Sequence, residues 1–370
     1  MIIAVGMDVH KDMSAAYAVY AGTGTENEKH RRFLNGFNNE FADFPSTVKR
    51  LETFAAFVRG HECHVLIENS TKSHDVYWIL KNMGIDVTVA QAQDLHRITK
   101  SVKKTDRNDS IELAGYMRRR LHGENEFAEC YIPSPEWMTK RELCRGLSAE
   151  KEYLANTKRR IRAHILLRRI HLSKEYPDVT TDKAMAELNS KKDPYLMMQV
   201  KFAADAKKRV DLGEKTLQYM FGDEPMFKLI YSIPGFGTIS AAYFTSLIVD
   251  IDRFPSSSKF TAAFGIVPKM RASAESNPRC STTHRGDDLA RYLLMFCVLG
   301  HVKNDENSVV TKMYRRLVNN GKAKREALVA AGRKLMTVVW SVLKNGRPYT
   351  SDQEKLTLAR ETEEKEMEDV

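Results

Sequence analysis

The sequence predicts an α/β N-terminal domain, an α-helical coiled-coil middle and a mainly α-helical C-terminal domain. Short runs rich in β-branched residues alternate with helical patterns over residues 1–125. Apolar residues then recur every seven positions after Trp137. Residues 222–346 show apolar helical patterns that are separated by proline and glycine turns. A chain of 370 residues is long enough to form two or three such domains, each with its own core.

The first domain begins with strand patterns and continues with strand–helix units. Its apolar runs and alternating segments predict strands at 2–9, 14–21, 31–35, 64–68 and 86–90. Helical periodicity predicts helices near 40–58, 72–83 and 107–121.

In the middle of the chain, the sequence pattern over residues 126–221 predicts a linker followed by an antiparallel helical hairpin. Leu147, Leu154 and Ile161 lie seven apart within a helix over 137–171, and a second helix is predicted over 194–219. Acidic residues thin out after Glu152 while basic ones do not, so we expect nucleic acid on this basic face. The alternative is a self-packing coiled coil with a solvated basic face.

Charge and cysteine usage narrow the function classes. The chain carries a formal net charge of +10, and residues 351–370 hold eight acids against three bases, which leaves the remainder at about +15. A body this basic favours a polyanionic partner, and residues 347–370 are expected to form an acidic, mobile tail. Five cysteines without a C-x-x-C pair indicate reduced thiols in a cytoplasmic protein. No signal peptide or membrane span is expected.

Four acids in the first third stand out by their positions. Asp8 interrupts an apolar strand, and Glu68 ends another. Asp106 and Asp109 lie three apart at the start of a helix, which sets them on one face. Each acid alone has an ordinary explanation, as a helix cap or a strand-end residue. Together they predict a site for Mg²⁺, with Mn²⁺ as an alternative, of the kind that clamps the oxygens in phosphoryl transfer.

Two C-terminal segments suggest contacts with phosphate. Gly235 and Gly237 resemble a helix-hairpin-helix turn, in which glycine and a helix N-terminus approach a DNA phosphate. The alternative is a plain turn between two helices. The loop between Pro268 and Gly286 is rich in hydroxyls and cations. A serine there is either a nucleophile toward phosphate or simply solvated.

These motifs together resemble one family. Asp8 in a Gly-x-Asp-x-His-Lys setting, Glu68 after an apolar strand, and Lys104-Thr105-Asp106-x-x-Asp109 look like the Asp-Glu-Asp-Asp insertion-sequence transposases, which include the Piv DNA invertases. The second half agrees in order and spacing, through Ile233-Pro234-Gly235-Phe236-Gly237-Thr238, Ile251-Asp252-Arg253-Phe254, Ala263-Phe264-Gly265-Ile266-Val267-Pro268 and Thr283-His284-Arg285-Gly286-Asp287. The resemblance covers about residues 1–345.

The resemblance implies a ribonuclease H-like (RuvC-like) first domain in which the four acids hold the metal. It also implies a nucleophilic serine that forms a covalent phosphoserine with DNA, and alignment of the flanking motifs places Ser273 there. The chain has Ala272-Ser273-Ala274 where the family usually has Ser-Ser-Gly, so Ser276 stays an alternative.

The partners implied by the resemblance are double-stranded donor and target DNA, a structured guide RNA, and further copies of the chain, as a dimer or a tetramer. The expected nucleic-acid contacts lie in or near the motifs: Lys103, Lys104, Arg107, Lys158, Arg159, Arg162, Gly235, Gly237, Arg271, Arg279 and Arg285.

Three rival functions fit parts of the sequence. A Piv-like site-specific invertase shares every motif. A RuvC-like junction endonuclease needs the four acids but not Ser273. A non-catalytic nucleic-acid-binding protein is disfavoured because all four acids are present.

Overall fold

The computed structural model describes residues 1–95, 105–266 and 286–350. The chain forms two compact units, Met1–Ser134 and Pro135–Val370. The first is an α/β unit, and the regular elements of the second, over its described residues, are all helices.

A five-stranded sheet organises the first unit. Its order is β3-β2-β1-β4-β5, with β1 antiparallel to β2 and parallel to β4, which is in turn parallel to β5. This mixed sheet, with helices between the parallel strands, is consistent with a ribonuclease H-like fold. The strands are β1 (Ile2–Val9), β2 (Met13–Tyr20), β3 (Phe44–Pro45), β4 (Glu62–Glu68) and β5 (Asp86–Ala90).

Helices cover both faces of this sheet because side chains alternate along each strand. Ile3, Val5 and Met7 of β1 join the core that contains Phe37 and Phe54 from the first two helices. The opposite face of the sheet packs against the fourth helix through Ala4, Leu66 and Leu113. The helices are α1 (Glu28–Glu40), α2 (Val48–Phe57), α3 (Ser73–Asn82) and α4 (Asp106–Leu121), and a 3₁₀ turn spans Ala92–Asp94.

The sequence prediction was wrong at two places in this unit. The strand predicted at 31–35 lies inside α1, where Asn27 caps the helix by accepting from the His30 amide at 2.9 Å. Leu34 and Phe37 are both buried there, three residues apart on one face of the helix.

The single helix predicted near 40–58 is interrupted. Pro45 lacks an amide donor and lies in the two-residue strand β3, which pairs with β2. Thr47 then caps α2. The strands predicted at 2–9, 14–21, 64–68 and 86–90, and the helices at 72–83 and 107–121, are confirmed with small shifts of their ends.

The second unit is built around a long helical pair. The helices predicted at 137–171 and 194–219 occur as α5 (Pro135–Leu167) and α7 (Pro194–Phe221). Arg209 Nε donates to Glu150 Oε2 at 3.0 Å, and His164 Nε2 lies 3.0 Å from Asp193 Oδ2. The early part of α5 therefore contacts the later part of α7 and the reverse, so the two helices run antiparallel. The sequence did not predict α6 (Asp182–Ser190). The remaining helices are α8 (Pro225–Tyr231), α9 (Thr238–Ile248), α10 (Ser257–Ala263), α11 (Asp288–Asn304), α12 (Val309–Asn319) and α13 (Lys324–Asn345), with a 3₁₀ turn at Ile251–Arg253.

One hydrophobic core runs through this unit from Cys144 to Leu343. It includes residues of the helical pair and of the C-terminal helices alike.

The predicted domain ranges 1–125, 126–221, 222–346 and 347–370 stay predictions. In the described ranges, Cys63, Cys130, Cys144 and Cys297 are free thiols, and no helix there is long and apolar enough to cross a membrane. Cys280 and residues 351–370 lie outside the described residues.

Candidate active site

Gly6 brings α4 against the sheet. A Cβ atom on Gly6 would lie 2.1 Å from the carbonyl oxygen of Ser110, 2.3 Å from the amide of Ala114 and 2.6 Å from Cβ of Leu113. Real side chains do not approach that closely, so only glycine permits this contact between strand and helix. Asp8 lies two residues later in β1 and therefore faces the same side of the sheet as α4.

The register of the parallel strands places Asp8 beside Glu68. Met7 pairs with Ile67, and continuing the register by one residue sets the two acids next to each other at the carboxyl ends of β1 and β4. Glu68 is half-buried. Residues that are paired in register on parallel strands point to the same face, so both carboxylates lie on the α4 side.

The start of α4 supplies the other two predicted acids. Thr105 is the N-cap, and its Oγ1 accepts from the Asn108 amide at 3.2 Å. Capping therefore does not account for Asp106 or Asp109, which occupy the first helical turn. The positive end of the helix dipole favours negative charge at this position.

Asp8, His10 and Asp106 meet at one point. Nε2 of His10 lies 3.2 Å from Oδ2 of Asp8 and 3.5 Å from Oδ1 of Asp106. One ligand atom from each of the three residues lies within 4.8 Å of the other two. The Asp8 side chain is 13% exposed, whereas those of His10 and Asp106 are 55% and 60% exposed. The cluster thus has one largely buried carboxylate and two groups that are open to solvent.

The environment of Asp8 disfavours its charge. Burial is the largest cause and raises the pKa of Asp8 above its ordinary value. The imidazole of His10 offsets part of this rise in pKa, while the carboxylates of Asp106 and Asp109 add to it. A cation bound among these carboxylates would relieve both the burial cost and the repulsion.

His10 was not among the residues predicted from sequence to form the site. Its backbone is fixed on both sides, since its amide donates to the Met13 carbonyl at 3.1 Å and its carbonyl accepts from Ser46 Oγ at 3.0 Å. Ser46 Oγ also lies 2.6 Å from Ser14 Oγ of β2. A signal that could have identified His10 is its spacing of two residues from Asp8, which sets both side chains on one face as the strand ends.

The predicted basic contacts of the hairpin are only partly available to a partner. Lys158 Nζ lies 2.9 Å from Oδ1 of Asp178 and is a quarter exposed, and Arg162 donates to the Pro177 carbonyl. Burial raises the pKa of Asp178, but hydrogen bonds from Thr180 and Lys158 outweigh it and bring the pKa to about 2. Arg159 contacts Asn156 and is exposed. Lys158 and Arg162 therefore hold the segment before α6.

The two glycines of the hairpin-like turn occupy different surroundings. Gly235 has φ +97°, and a Cβ there would lie 2.2 Å from the Cys297 carbonyl oxygen and 2.6 Å from the His301 amide. Gly235 thus allows the turn to pack against α11, as in a plain helix–helix turn. A Cβ on Gly237 would meet no atom within 4 Å. Gly237 is exposed at the N-cap of α9, and contact of this helix end with phosphate stays a prediction.

The described residues fix both ends of the predicted serine segment. The Ile266 carbonyl accepts from Nε and Nη2 of Arg333 at 3.2 and 3.1 Å. Gly286 has φ +96° and packs so closely on Ala263 that a Cβ would lie 2.7 Å from its carbonyl oxygen. Gly286 therefore packs against Ala263 and Phe264, just before Ile266. Of the predicted contact residues, Arg107 is exposed in the first turn of α4. Ser273, Ser276, Arg271, Arg279, Arg285, Lys103 and Lys104 lie outside the described residues.

Asp287 follows this segment and anchors α11. One carboxylate oxygen accepts from the Ala290 amide at 2.9 Å and caps the helix, and the other accepts from Nη2 of Arg145 at 2.7 Å. Nε of Arg145 donates to the Tyr243 hydroxyl at 2.9 Å. Burial raises the pKa of Asp287, but the hydrogen bonds from Ala290, Arg145 and Tyr243 outweigh it and lower the pKa overall.

Two family models match separate parts of the chain. A model for DEDD transposases of the IS110 type, described as "Transposase", matches residues 5–171, and the "Transposase IS116/IS110/IS902 family" matches residues 227–314. The chain belongs to the IS110 family of DEDD transposases. The first match contains the four acids, and the second contains the Gly235 turn and the serine segment.

Individual relatives agree with this membership. The y4qE protein of Sinorhizobium fredii (strain NBRC 101917 / NGR234) is 22% identical over 377 residues, which cover 94% of this chain and 90% of the relative. The transposase for insertion sequence element IS1111A of Coxiella burnetii (strain RSA 493 / Nine Mile phase I) is 26% identical over 32% of this chain and 33% of its own length. The transposase for insertion sequence element IS1328 of Yersinia enterocolitica is 25% identical over 37% and 41%, respectively.

Proposed function

We propose that this IS110-family transposase cuts and rejoins DNA through a covalent phosphoserine, assisted by a divalent metal ion that the four acids hold. The observation that carries the proposal is the packing of α4 on Gly6, which brings the helix-borne Asp106 against the buried, strand-borne Asp8. The IS116/IS110/IS902 family match over 227–314 supports a second functional region around the serine segment.

The residues present fit a hard divalent cation. Asp8 is desolvated and carries a raised pKa beside two further carboxylates, and these oxygens are the ligands that Mg²⁺ and Mn²⁺ prefer. Asp8 and Asp106 would hold the ion, with Glu68 and Asp109 completing the set. When bound, such an ion supplies charge stabilisation at the oxygens of a phosphoryl transfer.

Ser273 is the proposed nucleophile, and Ser276 is the alternative. Oγ of Ser273 gives up its proton and forms a bond to the DNA phosphorus, and one bond from phosphorus to a deoxyribose oxygen breaks. That oxygen takes up a proton as it leaves, so no net proton is gained or lost. Attack on the phosphoserine by a second deoxyribose hydroxyl reverses this chemistry and releases the serine. Arg271, Arg279 and Arg285 would stabilise the charge on the phosphate oxygens.

The partners proposed for this reaction are double-stranded donor and target DNA and a structured guide RNA. In such an arrangement base pairing reads the sequence, while the protein reads shape and backbone. The net charge of +10 and the exposed Arg107, Arg159 and Gly237 support binding of nucleic acid. We further propose that the chain works as a homo-oligomer, a dimer or a tetramer.

A RuvC-like junction endonuclease without serine chemistry is the second candidate, because it needs the same acids. A Piv-like invertase differs only in the DNA that it rearranges. An invertase lies beside an invertible segment, whereas a transposase gene lies between the ends of a mobile element.

Asp106→Asn tests the metal part of the proposal. This change removes a ligand oxygen and its charge but keeps the side-chain shape, so strand cleavage should be lost while DNA binding stays within a few-fold. Glu112→Gln, on the same helix, is the matched control and should cleave normally. The assay is cleavage of labelled DNA with Mg²⁺ or Mn²⁺ and with EDTA. Full-rate cleavage in EDTA would exclude the proposed metal role.

A further inference from the structure

We propose that His10 is a direct metal ligand, and that its nitrogen tunes this centre toward Mn²⁺ over Mg²⁺. This inference rests on the proposed function, because it concerns the same metal site. It adds a nitrogen donor to a site that is otherwise made of carboxylates. The nitrogen donor would make the site prefer one of the candidate metal ions over the other.

The distances match ligands on one ion. Ligands at adjacent positions of an octahedral ion, each about 2.1–2.2 Å from the metal, lie about 3 Å apart. Nε2 of His10 lies 3.2 Å from Oδ2 of Asp8 and 3.5 Å from Oδ1 of Asp106. One ligand atom from each of these three residues lies within 4.8 Å of the other two. His10 therefore lies between the strand-borne carboxylate of Asp8 and the helix-borne carboxylate of Asp106. Its distance to each is close to the distance between neighbouring ligand atoms on one ion.

The backbone holds His10 in this position. Its amide and carbonyl are bound by Met13 and Ser46, and the Ser46 amide also donates to the Asp12 carbonyl at 2.9 Å. The short turn from β1 to β2 is thus tied to the segment before α2. A side chain on such a fixed turn loses little conformational freedom when it coordinates a metal.

Ligand chemistry gives the direction of the preference. Mg²⁺ and Mn²⁺ both favour carboxylate, carbonyl and water oxygens. Mn²⁺ is the softer ion and belongs to the transition metals, so it accepts an imidazole nitrogen more readily than Mg²⁺ does. Loss of a partner that merely orients a ligand already weakens metal binding by about 10–100-fold. We expect His10→Gln to weaken Mn²⁺ binding by at least about tenfold and Mg²⁺ binding by less than about threefold.

The experiment measures Mn²⁺ binding to the full-length protein, without DNA. Calorimetry gives the Mn²⁺ and Mg²⁺ affinities, and electron spin echo modulation detects a ¹⁴N nucleus that is bound directly to Mn²⁺. We expect nitrogen coupling in the wild type and its loss in His10→Gln. His122→Gln is the matched control, since His122 is exposed at the far end of α4, about 24 Å along the helix from Asp106. It should keep both the affinity and the coupling.

The outcomes separate this inference from the proposed function. If Mn²⁺ binds and Asp8→Asn weakens it, but no nitrogen coupling appears and His10→Gln binds normally, the carboxylate site stands and the role of His10 is wrong. If Asp8→Asn and His10→Gln both leave Mn²⁺ binding unchanged, the proposed metal site itself is wrong. Thermal unfolding in EDTA should be alike for wild type and His10→Gln, because the side chain is more than half exposed. If His10→Gln unfolds at a lower temperature than the wild type, His10→Asn takes its place in the binding experiments.

Discussion

Gly6→Ala tests whether close packing of α4 on β1 places the acids. The added methyl group would lie 2.1 Å from the Ser110 carbonyl oxygen and 2.3 Å from the Ala114 amide. Both are backbone atoms and cannot rotate away, so the helix must retreat by more than about 1 Å to restore ordinary contact. Overpacking of this kind costs about 1–3 kcal/mol of unfolding free energy. A displacement of about 1 Å at a catalytic centre costs about 100-fold in rate.

Gly115→Ala is the matched control for this change. It adds the same methyl group to α4, where the nearest atom is the flexible guanidinium end of Arg119, at 3.3 Å. Alanine is also the better helix former, so the unfolding free energy should be unchanged or up to about 1 kcal/mol higher. Urea unfolding, Mn²⁺ affinity and DNA cleavage are measured for both variants. If Gly6→Ala matches the wild type in all three, close packing at Gly6 does not position Asp106.

Two further predictions concern charge. Burial raises the pKa of Asp8, so its ionised form costs folding free energy at pH 7. Asp8→Asn should therefore raise the unfolding free energy in EDTA. This gain should vanish as the pH falls below the pKa of the unfolded carboxyl, and a gain that grows toward acid pH would contradict the account. In the hairpin, Arg159→Ala should lower the salt dependence of DNA binding by about one unit of slope. Lys158→Ala, which breaks the Asp178 pair, should mainly lower the melting temperature; the reverse pattern would mean that Lys158 is the phosphate contact.

The candidate metal ligands could be found from sequence because each acid conflicts with its local pattern. A carboxylate inside an apolar strand, as at Asp8, is costly unless something binds it. Asp106 and Asp109 were recognisable by their spacing at a helix start. The hairpin helices followed from the seven-residue spacing of Leu147, Leu154 and Ile161, all three of which are buried.

Other features depend on contacts between distant residues and were not predicted. Nothing local to Gly6 reveals that α4, about a hundred residues later, requires a position without Cβ. The sequence places Lys158 on a basic face, and its pairing with Asp178 could not be predicted because Asp178 lies in an irregular segment twenty residues away. The strand predicted at 31–35 is wrong because a short apolar run does not by itself distinguish a strand from a helix, and the Asn27 cap starts a helix there.

The central claim is that a serine forms a covalent bond to DNA, and trapping that bond tests it most directly. Labelled DNA that spans the ends of the element is incubated with the protein, Mg²⁺ or Mn²⁺ and the transcript of the element's non-coding end. The reaction is then stopped with denaturant and resolved on a denaturing gel. We expect DNA attached to the polypeptide in the wild type and in Ser276→Ala, and none in Ser273→Ala. Normal cutting by Ser273→Ala would contradict the nucleophile assignment. Cutting without an adduct in every variant would mean that metal-activated water does the hydrolysis and that the chain is a junction nuclease.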